Sequence, residues 1–186
     1  MMGCPGCRWA AELRFRNYLE QMGIDLQGSI LDIACGPFSL GCIYNDVHGH
    51  DNCPGFVRCL EDMGIPACLA DISQLDYPPK SFDYVVTFNP PLRPFRQRGN
   101  ARSGIKRFLE DMLRIAQEKV IIRSRTIIPL LSDEYDSLLD RKGDNYAIYR
   151  ADRYHPGPQA GLQCEIHPLP VQSISSRFPE ACRIAQ

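Results

Sequence analysis

Four times in its first half the chain runs a short apolar stretch into an abrupt polar or turn-forming stop. The runs are Ser29-Ile30-Leu31-Asp32-Ile33-Ala34 closed by Gly36-Pro37, Val47-His48-Gly49-His50-Asp51, Ala67-Cys68-Leu69-Ala70-Asp71, and residues 81–88 closed by Asn89-Pro90-Pro91. Runs this short suit strands covered on both faces, as in a parallel sheet. Helical patterns separate them. Residues 8–22 gather Phe15, Tyr18, Leu19 and Met22 on one face, with Gly23 as the stop. A short helix is expected over 38–46. Asn52 is expected to cap the next helix, which holds Pro54 in its first turn and turns Phe56, Val57, Leu60 and Met63 inward. After a loop rich in Arg, Gly and Pro comes the clearest stripe of all: Ile105, Phe108, Leu109, Met112, Leu113 and Ala116, leading into a fifth strand over 119–123. Ser132 is expected to cap a helix with Tyr135, Leu138 and Leu139 inward, stopped by Gly143. The last strands are expected over 145–153 and 162–167, flanking His155-Pro156-Gly157-Pro158. Strands alternating with helices at this spacing imply βαβ units, hence an α/β chain with a mostly parallel twisted sheet, helices on both faces and an antiparallel pair at one edge near the C-terminus.

Composition narrows the function classes. Apolar residues make up 44% and charged residues 23% of 186 positions, ordinary for a soluble globular chain. No apolar run approaches the roughly 18–20 residues that cross a bilayer. The start, Met1-Met2-Gly3-Cys4-Pro5-Gly6-Cys7-Arg8, lacks the pattern of a signal peptide, so a cytoplasmic location without a membrane partner is expected. A net charge of −1 argues against a broad nucleic-acid-coated face and leaves room for a local basic patch. The nine cysteines are odd in number and mostly sit in apolar or helical segments, which suits a small buried hydrophobe in a reducing compartment. Cys4 and Cys7 have the spacing of half a metal site, but no second close pair exists and His48, His50, His155 and His167 form no ligand pattern. No metal is expected.

In an open α/β sheet, ligands bind beyond the carboxyl ends of the strands, near the point where strand order reverses. Here those ends carry Asp32 to Gly36, Asp51, Asp71 and Asn89. In this order and spacing, residues 29–125 resemble the class I methyltransferase family, which uses S-adenosylmethionine. Ile30-Leu31-Asp32-Ile33-Ala34-Cys35-Gly36-Pro37 looks like its first motif, where Asp32, Ala34, Cys35 and Gly36 would meet the methionine part of the cofactor. Asp51 and Asn52 match the acidic position that takes hydrogen bonds from the ribose hydroxyls. Asp71-Ile72 matches the adenine contact, and residues 81–86 match the fourth-strand pattern. Phe38 stands where the family usually has a second glycine, and Ala34 replaces an earlier one. The resemblance implies a single Rossmann-like domain over 1–186: an N-terminal helical segment (1–28), the cofactor-binding core (29–125) and the C-terminal part of the sheet (126–186).

Asn89-Pro90-Pro91-Leu92 resembles the motif of methyltransferases that act on planar amino nitrogens of adenine, guanine or side-chain amides. There the Asn oxygen and a proline carbonyl accept hydrogen bonds from the target NH₂, so that Asn89, Pro90 and Pro91 are the catalytic candidates and Asn89 also borders the cofactor. Leu92 replaces the usual stacking aromatic; Phe88 or Phe95 are the candidates to take its place. Arg93, Arg96, Arg98, Arg102, Lys106 and Arg107 follow in an acid-free stretch, so residues 93–107 are a candidate phosphate clamp for RNA or DNA, with Leu92, Phe95, Arg96 and Arg98 touching substrate. Asp152, Tyr154 and His155 are further acceptor-facing candidates. Two alternatives stay open: a small-molecule methyltransferase acting on an anionic metabolite, and a silent methyltransferase-like domain that binds a protein or RNA. Neither the acceptor nor the oligomeric state is written in the sequence.

Overall fold

A computed structural model describes residues 5–96, 100–131 and 133–156. Arg98, the Ser132 cap and the 162–167 strand, together with Cys4 and His167, lie outside the described residues. The strands are β1 (Ile30–Ile33), β2 (Val47–Asp51), β3 (Ala67–Leu69), β4 (Phe82–Phe88), β5 (Ala116–Arg123), β6 (Leu139–Gly143) and β7 (Tyr146–Arg150). The helices are α1 (Pro5–Gln21), α2 (Pro54–Asp62), α3 (Arg93–Arg96) and α4 (Ala101–Ile115). The seven strands among the described residues form one sheet in the order β3-β2-β1-β4-β5-β7-β6. β1 to β5 are parallel, and β7 runs antiparallel to both β5 and β6. The fold is Rossmann-like α/β, as expected.

Two layers of packing hold the sheet. On one face Ile105, Phe108, Leu109, Met112 and Leu113 of α4 meet Leu31, Ile33, Val85, Val120 and Ile122. On the other, Ala11, Phe15 and Leu19 of α1 meet Ile30, Val86, Ile121 and Ile148. Each fully buried aliphatic or aromatic side chain contributes about 1.5–3 kcal/mol, so α4 is the main clamp on the sheet. Its cap is Asn100, whose side chain accepts from Arg102 N at 2.9 Å. α2 presses on β2 at Gly49, where a Cβ would come within 2.9 Å of Leu60.

Several local expectations are corrected. Only a 3₁₀ turn, Leu40–Cys42, forms within 38–46. The N-cap of α2 is Cys53 without a side-chain cap bond, not Asn52, and Phe56 stays 38% exposed. Ala116 begins β5 rather than ending the preceding helix. The segment after residue 132 is a 3₁₀ helix, Asp133–Leu138, and Leu139–Gly143 is a strand. Among the described residues β6 and β7 form an antiparallel pair, closed by the two turn-forming residues Asp144-Asn145 as a tight hairpin. Asp140, Arg141 and Lys142 are exposed on β6 and keep that sheet edge unattractive to further pairing. Cys35, Cys53 and Cys59 are free thiols, and Cys68 is buried on β3. No described helix is long and apolar enough to cross a membrane.

Candidate active site at the carboxyl rim

The register brings the strand ends level. Ile33 pairs with His50 on one side and with Thr87 on the other, and Thr87 pairs with Ile122. The residues that follow β1, β2, β4 and β5 thus gather on one rim. β1 is flanked by β2 and β4, so strand order reverses there, and a crevice opens at such a reversal.

The turn after β1 is braced from within. Asp32, 1% exposed, accepts from Ser39 Oγ at 2.7 Å and from Leu40 N at 2.8 Å. These bonds tie its carboxylate to the loop that follows β1. Ala34 N and Cys35 N donate to His50 O at 2.7 and 3.4 Å. Gly36 N donates to Asp51 Oδ2 at 3.0 Å, and Asp51 Oδ1 accepts from Cys53 N at 2.9 Å. The first motif and the end of β2 are therefore one hydrogen-bonded unit. Gly36 has φ +63°, and a Cβ there would meet nothing within 4 Å, so the turn faces open space at this point. Cys35 offers only its backbone, because its thiol packs with Leu60 and Ile65 and burial pushes its pKa up, helped by the charges of Asp32 and Asp51.

Ala34 has φ +55°, a left-handed conformation that disfavours any side chain by about 1–2 kcal/mol. Ala34→Gly relieves that strain at the cost of roughly 0.5–1 kcal/mol of extra chain entropy in the unfolded state. A small net gain, about 0.5 kcal/mol, is expected as a higher denaturant midpoint. A clear loss of stability would show that the alanine methyl has a packing role that outweighs its strain.

Beyond β2, Asn52 is exposed. Asp71 is half-buried and folds onto its own turn, accepting from Ser73 N at 2.8 Å and from Ser73 Oγ. Ile72 is 2% exposed within the main core, so it is not presented as an open adenine-facing surface.

At the end of β4, Asn89 is exposed at φ +52°, and its N–H donates to Arg123 O at 2.6 Å. Asparagine tolerates this conformation better than most residues. Pro90 is buried, Pro91 exposed and Leu92 half-buried against the main core. The two aromatic candidates for stacking are core residues. Phe95 packs on Phe108 with centroids 5.2 Å apart, and Phe88 on Phe15 at 4.9 Å. Both rings are almost wholly buried. Arg93, Arg96, Arg102 and Arg107 are exposed, whereas Lys106 is tied to Glu134 at 2.6 Å.

Sequence reasoning missed the far wall. Tyr18, Arg123, Ser124, Arg125 and Thr126 line a cleft of about 390 Å³ together with Asn89. The Arg123 guanidinium lies 3.3 Å over the Tyr18 ring centroid. Buried Ser124 holds the turn: its Oγ accepts from Thr126 N and Ile127 N at 3.3 and 3.1 Å, and its N–H donates to Asn145 O at 2.9 Å. The signal was present, since Arg123-Ser124-Arg125-Thr126 is the polar stop of the fifth strand, equivalent to the first four. Asp152, Tyr154 and His155 move the other way. Arg123, the last residue of β5, pairs with Tyr146, the first of β7, so the antiparallel strand runs back from the site rim and delivers them toward the opposite one. There Asp152 is held by Arg150 at 2.7 Å. Among the described residues no group of His, Cys, Asp and Glu could hold a metal ion.

No family model matches the sequence, and no curated protein matches it. Solved structures share its fold. A Pyrococcus horikoshii protein aligns at 14% identity over 76% of this chain and 90% of its own, with a TM-score of 0.54. A Thermoplasma acidophilum protein aligns at 14% identity over 76% and 85%, with a TM-score of 0.50. The chain is also similar to an S-adenosylmethionine-dependent methyltransferase from Corynebacterium glutamicum, at 16% identity over 79% of this chain and 99% of that one, with a TM-score of 0.47. At such identities the likeness is one of fold.

Proposed function

We propose that this protein is an S-adenosylmethionine-dependent methyltransferase acting on an amino nitrogen. The observation that carries the reading is the shared rim: the open Gly36 turn bonded to Asp51, and the exposed Asn89 amide beside them across the β1–β4 reversal. The residues present fit the cofactor. A glycine with nothing before its missing Cβ admits close approach of a ligand to the backbone. Each Asp51 oxygen accepts one backbone N–H and retains a lone pair for a ribose hydroxyl. Because the N–H groups of residues 34–36 already point to β2, the turn offers carbonyl oxygens, which suit the ammonium of a bound amino acid. Asp71 and Asn52 stand farther along the same rim.

Held by the Gly36 turn and Asp51, S-adenosylmethionine would supply an activated methyl group on a sulfonium, which would pass to the acceptor nitrogen with the C–S bond broken, a neutral thioether left behind and the acceptor's proton released to water. The chain's own work is positioning. Asn89 Oδ1 and the Pro90 carbonyl accept the two N–H bonds of the target, hold it in plane and direct its lone pair toward the crevice. The left-handed backbone at Asn89, pinned to Arg123 O, turns the strand end out of the sheet and leaves the amide exposed.

Asp51→Ala removes two charge-assisted acceptors. Cofactor affinity is expected to fall by about one to two decades, from losing roughly 1.5–3 kcal/mol. Calorimetry with S-adenosylmethionine and its demethylated product checks this, with circular dichroism to confirm the fold. No binding by the wild type at millimolar cofactor overturns the reading and favours a silent binding domain, for which half-buried Phe38 beside the turn is the supporting observation.

A further inference from the structure

We infer that the acceptor is a small molecule carrying, besides its amino group, a carboxylate or phosphate that Arg123 and Arg125 hold within the cleft. The inference rests on the methyl-transfer reading for the amino group alone; the anion site stands on its own geometry. Arg123 sits on β5 in register with Phe88, one residue before Asn89, so the guanidinium and the amide arise from adjacent strands, about 5 Å apart. Tyr18 covers one face of the guanidinium at 3.3 Å. Stacking fixes the plane of the fork and leaves its N–H edge for a planar or tetrahedral anion, the geometry in which arginine binds two oxygens at once. Among the described residues neither Arg123 nor Arg125 has a carboxylate partner. Buried Ser124 between them locks the turn from both sides, so the two cations are presented by a rigid element. A cleft of about 390 Å³ falls in the range of small-ligand sites, about 300–1,000 Å³. A nucleic-acid strand needs instead an extended basic track.

The test follows the arginine Nε–H NMR signals of the full chain as inorganic phosphate, acetate or a short single-stranded RNA is added. Phosphate or acetate is expected to shift the Arg123 signal saturably at millimolar concentration, with Arg93 and Arg96 little changed; the probe that binds tighter names the anionic group. Arg123→Gln should weaken that binding at least tenfold. Arg125→Gln, at an exposed position, should weaken it severalfold and guards against a misfolded first variant. No saturable shift at Arg123 with either anion, or equal shifts at Arg93 and Arg96, overturns the inference. So does RNA binding tighter than both anions with shifts spread over Arg93, Arg96 and Arg107. Cofactor calorimetry runs in parallel. Anion binding without cofactor binding would defeat the methyltransferase reading and leave the anion site intact, and the reverse result would do the opposite.

Discussion

Replacing Asn89 with glycine is expected to leave a folded protein that binds S-adenosylmethionine yet transfers methyl groups at least about a hundredfold more slowly. Losing one well-placed polar group from a transition state costs on that order. Glycine is the better probe than alanine because the backbone here is left-handed, at φ +52°. Alanine would add about 1–2 kcal/mol of strain to the lost amide and confuse a folding defect with a catalytic one. Glycine removes the side chain while keeping the N–H bond to Arg123 O. Asn89→Ala then serves as the second variant, with the same loss of turnover and a lower denaturant midpoint. A tritiated-methyl assay with the true acceptor reads the rate. Near-normal turnover in the glycine variant would make Asn-Pro-Pro-Leu a connecting loop and end the amino-nitrogen assignment.

Mild acid is expected to destabilise the protein sharply, through two histidines that the proposed chemistry does not use. Burial lowers the pKa of His48 from 6.5 to about 3, with His50 beside it adding to the effect. Burial likewise lowers His50 from 6.5 to about 4, against the opposing pull of the Asp71 backbone and the Asp51 and Asp71 charges. His50 Nδ1 meets the Tyr77 hydroxyl at 3.0 Å, and His48 packs between Tyr77 and Phe82. Both rings are neutral in the folded protein, whereas in the unfolded chain they take up protons below about 6.5. The unfolded state therefore binds more protons as the pH falls, and stability drops from about pH 6.5 down to the folded values near 4 and 3. Each histidine loses about 1.4 kcal/mol per pH unit, so by pH 5 the two together cost up to about 4 kcal/mol. That is a large share of a typical domain stability of about 5–15 kcal/mol. Urea unfolding at pH 7 and pH 5 measures it, and His48→Leu should remove about half of the drop. Equal pH dependence in wild type and variant would show that other groups titrate instead.

The elements readable from the sequence are those whose signal is local. The apolar runs ending at Ala34, Asp51 and Phe88, and the stripe from Ile105 to Leu113, carry their period within a dozen residues, and they formed β1, β2, β4 and α4 close to the expected bounds. The polar stops also told which rim to inspect, because parallel strands end on one side. In sequence, residues 139–143 suit a helix end, since Leu138 and Leu139 followed by Gly143 fit a helix as well as a strand. Only pairing with β7 decides between them, and pairing is not a local property. The same limit hid the direction of β7, which carries His155 away from the site.

Partners distant in the chain were decided by the tertiary structure alone. Tyr18 and Arg123 meet only because α1 packs on that face of the sheet, and Asp51 reaches Gly36 only because β2 neighbours β1. Phe95 reads as a candidate stacking ring until α4 is seen to close over it. The sequence by itself thus determined the layers, the rim and the chemistry of the groups along it. Which groups face the cleft and which are braced against one another was decided by packing, because a side chain's direction depends on the surfaces that exclude it from water, and those come from the rest of the fold.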